Sequence, residues 1–452
     1  MLLKIIFLVM VISGCKKILD TKPDKSLVVP TSLKDFQVIL DNVGVMNLSH
    51  AGGAGEVCAD NYYLTDDNYN SLSINTTKNL YVWEKNVFND YIDLSDWYLA
   101  YRTVYYANVV LEGLSKLENI TDSNFLNVKG SALFYRSLCF YEVAQLYSNP
   151  YKVDSNVSDL GIPLRINADI NKIYGRSTLK ETYEKIISDL VLSAELLPVE
   201  PFNNFKTRPT KPAAYALLAR IYLSIQDYDK ALYYSSKTLE LFSTLLDYNT
   251  DIKATSSTAP IARYNKETIF YAHAYDWGAI NFSRAFIDTT LLEKYDANDI
   301  RKAAFFRSVS GGYIFKGTYV GDRFQLIFTG IATDEIYLTR AECYARKGDI
   351  ENAMSDLNKL MINRWKNNGT FVPYTASDSF DALKKILLER RKELIFRGLR
   401  WSDLRRLNMD TRFAVTLKRK VNNKEFLLLP KDARYTLQIP ISVIKSSGIQ
   451  QN

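Results

Sequence analysis

The sequence predicts a mainly α-helical protein, a scaffold of tetratricopeptide-like helical pairs interrupted by loop-rich insertions with short strands. Three observations predict it. Two stretches share one spacing of small and aromatic residues, several others repeat apolar residues three and four apart, and two long polar stretches follow neither period.

The shared spacing is specific. In 215–238, Tyr215, Leu218, Ala219, Tyr222 and Ala231 stand at offsets 0, 3, 4, 7 and 16. In 337–360, Tyr337, Ala341, Tyr344, Ala353 and Leu357 stand at 0, 4, 7, 16 and 20. Small residues let two antiparallel helices approach while aromatic rings fill the gap beside them. The turns IQDYD and RKGDI carry the aspartate and glycine chemistry that ends one helix and starts the next.

The remaining helices follow from periodicity. WYLAYRTVYYANVVLEGL (97–114) and LFYRSLCFYEVAQLY (133–147) are amphipathic. STLKETYEKIISDLVLSAELLP opens with Ser177 as N-cap, with Glu181 nearby, and closes at Pro198. ILLERRKELIFRGLRWSDLRRL predicts one helix with an apolar stripe and a solvated face laced with ion pairs. Residues 44–92 and 244–332 read as polar loop broken by strand-like runs, NLYVWEKNVF among them. Insertions this long inside a compact chain usually carry function.

Composition bounds the function. At 452 residues, 47% hydrophobic and 24% charged, the chain has a globular balance, and a net charge of +7 spread without basic runs excludes nucleic acid as the expected partner. The widely spaced Cys58, Cys139 and Cys343 form no disulfide framework, and Cys139 and Cys343 read as buried thiols. The start, MLLKIIFLVMVISGCKK, places Lys4 before the apolar run Ile5–Ile12, which is too short to span a bilayer. Ser13 and Gly14 before Cys15 resemble the lipobox of bacterial lipoproteins. Residues 1–14 are thus expected to be a cleaved signal peptide, Cys15 the lipidated residue, and 15–452 the exported domain.

No catalytic motif is legible. His50 and His273 lie far apart, and HExxH, GxSxG and GxxxxGK[ST] are absent, so no metal and no cofactor are expected. The run DDNYN (66–70) lacks the glycine and closing glutamate of a calcium loop and reads as a polar turn.

Taken in order, CKKILDTKP, GSALFYRSLCFYEVAQLY, GIPL, RPTKPAAYALLARIYLSIQDYDKAL, RAECYARKGDIENAMSDLN, ERRKELIFRGLRWSDLRRL and LQIPISVIKSSGIQQN resemble the SusD/RagB family of nutrient-binding lipoproteins. The likeness runs through essentially the whole chain. Arg397 departs from it, since the family commonly has glutamate before this glycine. The tail also ends at QN, without the proline and glycine often found after it.

The resemblance implies a right-handed scaffold of about four tetratricopeptide-like pairs bearing a loop-rich insertion. It further implies a non-enzymatic lipoprotein, anchored on the surface of a Gram-negative outer membrane, that captures glycan oligosaccharides for a SusC-like TonB-dependent transporter. A peptide-binding member of the family is the alternative; a surface glycan-degrading enzyme or an envelope-assembly scaffold is less favoured.

A sugar presents an apolar CH face that stacks on an aromatic ring, while amides, acids and arginines bond its hydroxyls. The loops supply both kinds of residue. Trp277 is the first expected ligand contact, followed by Tyr275, Trp83, Tyr81, Tyr62 and Tyr63, with Tyr69 nearby. Asn68, Asp276 and Arg284 are the expected polar contacts, beside Asn61, Asp66, Asp67 and Asn281. A neutral oligosaccharide, bound where the two irregular regions meet, is the expected ligand. With 31 tyrosines and 22 phenylalanines, packing is the competing role for each ring.

Overall fold

The computed structural model describes residues 30–50, 52–88, 95–117, 122–152, 157–200, 205–256, 258–275, 277–281, 283–321 and 326–452. Cys15 and Asp276, named above, lie outside them. Helices form the scaffold in chain order: Asp96–Leu114, Ser123–Tyr147, Leu179–Leu196, Lys211–Ser224, Tyr228–Leu241, Thr333–Arg346, Ile350–Met361, Ser379–Glu393 and Arg400–Leu407. Each of the first five packs against the next, and Thr333–Arg346 packs against both Ile350–Met361 and Ser379–Glu393.

The two predicted pairs are built alike. Gln226 takes a left-handed φ of 63° and Gly348 one of 86°, each immediately before an aspartate. Asp227 and Asp349 then cap the second helix, their side chains accepting from the backbone N–H of Lys230 and Asn352. Ala219, Ala231, Ala341 and Ala353 are fully buried at the helix contacts. Tyr222 and Tyr234 stack beside them with ring centroids 5.5 Å apart.

Several expectations need correction. The N-cap of the Leu179–Leu196 helix is Thr178, not Ser177, because Glu181 must stand three residues on to close the capping box. The predicted arginine-rich helix is two helices, Ser379–Glu393 and Arg400–Leu407. Phe396 and Gly398 break it with left-handed φ values of 52° and 73°. Its charges are also not solvated: Glu389, Arg390, Lys392, Glu393, Arg405 and Arg406 are all buried. Lastly, NLYVWEKNVF (79–88) is not strand: its first three residues end a short helix, Asn75–Tyr81, and the rest is turn and loop, while DDNYN is a one-turn helix capped by Thr65.

Those buried charges sew the second insertion to the scaffold. Arg301, fully buried, donates to Asp299, Glu389 and Glu393 at 2.5–2.9 Å. Arg364, also fully buried, donates to Glu393 and Glu267 at 2.7 Å each and lies 4.1 Å from the Tyr248 ring centroid. Burial of such charges is tolerated only when each is paired. Arg397, the departure from the family pattern, is paired too: it bonds Asp334 at 2.8 Å and lies over the Tyr319 and Phe328 rings.

Short strands join the two irregular regions to each other. Leu48–His50 pairs in parallel with His273–Ala274, and Tyr62–Tyr63 pairs antiparallel with Phe286–Ile287. A C-terminal hairpin, Leu417–Val421 with Lys424–Leu428, turns through Asn422 and Asn423, both left-handed as such a two-residue turn requires. Cys58, Cys139 and Cys343 are buried and form no disulfide among the described residues. Among the described residues no helix is long and apolar enough to cross a membrane.

Candidate functional site

The two insertions meet where the sequence places the ligand, but most of the expected aromatics are already occupied there. Trp277 is 3% exposed. Its indole N–H donates to Asp96 Oδ2 at 2.8 Å, and its carbonyl accepts from Thr77 Oγ1 at 2.8 Å. The other Asp96 oxygen accepts the backbone N–H groups of Gly52 and Gly53 at 2.7 and 3.1 Å. Burial pushes the Asp96 carboxyl up to about 6 against the pull of these donors. Gly53 has no alternative here, since a Cβ would lie 1.9 Å from the Tyr275 carbonyl oxygen. Trp277 is therefore a buried, hydrogen-bonded anchor of the insertion, which corrects the expectation of an open stacking surface.

Tyr62, Tyr81 and Trp83 receive the same correction for a different reason. All three are buried, and together they enclose Arg419 of the C-terminal hairpin. The guanidinium lies 3.8 Å from the Tyr81 ring centroid, 4.7 Å from that of Trp83 and 5.3 Å from that of Tyr62. Arg419 also donates to the carbonyls of Val57, Ala59 and Tyr81. The polar ends of the rings are likewise engaged: Tyr62 Oη donates to Val57 O, and Trp83 Nε1 to Cys58 O, both at 2.9 Å. Sequence offered no direct sign of this cage, because its cation lies more than 330 residues from its rings.

What remains open is a smaller set. Tyr275 is 43% exposed, its ring 6.4 Å from that of Trp277. Tyr63 is half-buried and stacks on Phe286 at 5.7 Å. Arg284, half-buried, donates to Gly278 O at 2.9 Å, and Asn68 donates to Arg284 O at 2.9 Å. Asn61 is buried, accepting from Arg391 at 3.2 Å, whereas Asp66 and Asp67 are exposed.

A second concavity lies on the outer face of the Asp96–Leu114 helix, enclosing 830 Å³ between that helix, the 163–174 segment and the C-terminal helix Ile441–Ser447. Tyr98 (49% exposed), Arg102 and Tyr105 (38% exposed) form one stripe along it, at helical spacings of four and three. Tyr101 donates to Pro163 O at 2.7 Å, and Asn108 donates to the carbonyls of Arg165 and Asn167 at 2.8 and 3.0 Å. These bonds hold the facing wall against the helix. The helical pattern of 97–114 was legible, but its outer tyrosines could not be told from core ones by periodicity alone.

Comparison with known proteins places this arrangement. A SusD-like family model described as "Starch-binding associating with outer membrane" matches residues 17–223, and the SusD family model matches residues 333–447. The chain belongs to the SusD/RagB family. Members of this family are binding proteins rather than enzymes, and membership supports carbohydrate as the class of ligand.

Among relatives, the SusD-like protein P2 of Formosa agariphila is 24% identical over 377 residues, covering 69% of this chain and 71% of its own length. A solved structure described as a putative sugar binding protein from Bacteroides vulgatus superposes with a TM-score of 0.73 at 22% identity, covering 94% of this chain and 99% of its own. A laminarin binding SusD-like protein superposes with a TM-score of 0.68 at 16% identity, over 94% of this chain and 99% of its own. These superpositions establish the SusD-like fold.

Proposed function

We propose that this SusD/RagB protein is a surface lipoprotein that captures glycan oligosaccharides and delivers them to a SusC-like TonB-dependent outer-membrane transporter. Family membership carries the reading. The laminarin binding relative of the same fold supports a glycan over a peptide as the captured molecule. Residues 1–14 act as signal peptide, and Cys15 bears the lipid that holds residues 15–452 at the outer membrane. A binder with no bilayer-spanning helix among its described residues needs a partner that supplies the route inward.

The glycan contact includes the exposed Tyr275, whose ring packs by the anchored Trp277, with Arg284, Asn68 and Tyr63 as the further contacts. Three measurements test the reading. Cys15→Ala releases the protein from membrane fractions, gentle extraction of the native protein co-purifies a large barrel, and a glycan panel returns a ligand whose binding weakens in Tyr275→Ala. Retention of the Cys15→Ala protein on membranes would remove the anchor, and a glycan panel without any ligand would remove the capture role.

A further inference from the structure

We propose that the groove on the outer face of the Asp96–Leu114 helix is a second carbohydrate site, selective for acidic sugars carrying a carboxylate or a sulfate ester. The inference rests on the glycan-binding reading above and extends it to a different part of the surface.

The argument begins with charge. Arg102, Arg165 and Lys172 line the groove, and among the described residues no carboxylate does. Among the described residues none of the three has an ion-pair partner, in a protein where most buried arginines are matched by acids. Among the described residues the Arg165 side chain donates only to the carbonyls of Asp169 and Ile170, at 3.2 and 3.4 Å. The Nε of Arg102 and the Oη of Tyr174 are both shielded from solvent with no hydrogen-bond partner. Buried donors of this kind are costly unless something accepts from them.

Shape supplies the second half. Tyr98 and Tyr105 are exposed two turns apart on the same helix, with Arg102 between them 6.0 Å from the Tyr98 centroid. Across the groove the Tyr174 ring lies between Arg165 and Lys172, at 5.8 and 5.0 Å. Ring faces take the CH side of a pyranose, and cations beside them take an anionic substituent through charge-assisted hydrogen bonds. A neutral sugar would use the rings and leave three cations unmatched. A uronate or sulfated sugar uses both.

The test compares polymers that differ only in charge: dextran sulfate against dextran, and polygalacturonate against its methyl ester, by affinity electrophoresis and calorimetry. The wild-type protein should bind at least one anionic polymer and neither neutral counterpart. Arg102→Gln and Lys172→Gln should each weaken that binding about tenfold, the worth of one charge-assisted hydrogen bond. Tyr98→Ala and Tyr105→Ala should weaken it as well, and Lys420→Gln, an exposed cation outside the groove, should not. Melting curves on every variant separate lost binding from lost fold.

Binding of dextran as tight as that of dextran sulfate overturns the proposal, as does failure to bind either anionic polymer. Loss on removing cations anywhere, with the tyrosine variants unchanged, is loose polyelectrolyte attraction and overturns it too. If the groove variants keep their polysaccharide binding but lose a co-purifying barrel, the groove is a protein interface and the sugar site is wrong. In each of these cases the capture role survives if a glycan still binds in a Tyr275-dependent way. Absence of binding to every glycan removes both.

Discussion

Apart from Tyr275, the insertions hide most of the aromatic residues expected to meet ligand, whereas a regular helix displays two of its own. Trp277, Trp83, Tyr81 and Tyr62 stand in the two insertions, on loops or very short elements, and are buried, whereas Tyr98 and Tyr105 stand on a long helix and are exposed. An irregular segment cannot satisfy its own backbone groups by repetition, so it folds around side chains that fill space and accept or donate at their edges. The Asp96–Leu114 helix satisfies its backbone internally and buries a stripe through Trp97, Ala100, Val104 and Ala107. Its outer face is then free to carry rings that stability does not require.

The largest effect that would sharpen this contrast lies in the charge network holding the second insertion. Arg301→Ala removes the cation shared by Asp299, Glu389 and Glu393, leaving Lys392 and Arg364 as their partners, and a loss of about 5 kcal/mol is expected, the upper end for breaking a buried pair. Urea unfolding checks it; a loss below 1 kcal/mol would mean that water reaches the site. Trp277→Ala follows, with an expected loss of about 3–5 kcal/mol for a buried aromatic. If instead its melting temperature stays put while glycan binding falls, Trp277 is an open ligand contact and the contrast breaks.

A pH effect comes next. Glu56 is fully buried in the first insertion, and burial raises its carboxyl from 4.5 to about 7 despite bonds from the Arg400 and Gly398 backbone. A folded-state value above the unfolded one means that stability is greatest below 4.5 and is lost as pH rises to about 7. Glu56→Gln should therefore gain up to roughly 3 kcal/mol at pH 8 and little at pH 4, from a shift of this size. Denaturant midpoints at the two pH values decide it, and an equal effect at both would contradict the isolation of this carboxyl. The smallest effects belong to Tyr98→Ala and Tyr105→Ala, expected within about 0.5 kcal/mol of the parent, as for surface changes. A loss of 2 kcal/mol in either would show that the displayed rings are structural after all.

Legibility in the sequence followed local chemistry. The two tetratricopeptide-like pairs were readable because Ala219, Ala231, Ala341 and Ala353 sit at fixed offsets and their turns cap the next helix within a few residues. The meeting of the two irregular regions was anticipated, and the strand pairs confirm it. The state of individual rings was not legible. Whether Trp83 faces sugar or protein depends on Arg419, and whether Glu389 faces water depends on Arg301, 88 residues away. Periodicity identifies a charged stripe, yet it cannot distinguish solvent from a partner supplied by a distant insertion.

The cage around Arg419 also has a consequence in time. A chain that emerges from its N-terminus presents Tyr62, Tyr81 and Trp83 long before the hairpin that covers them exists. Arg301 likewise waits for Glu389 and Glu393, which follow 88 and 92 residues later. Neither insertion can reach its final packing before the C-terminal part of the chain is made, so the nascent protein carries uncovered aromatic surface. Folding is closed by its last quarter, and a truncation that spares every glycan contact would still leave the first insertion without its keystone.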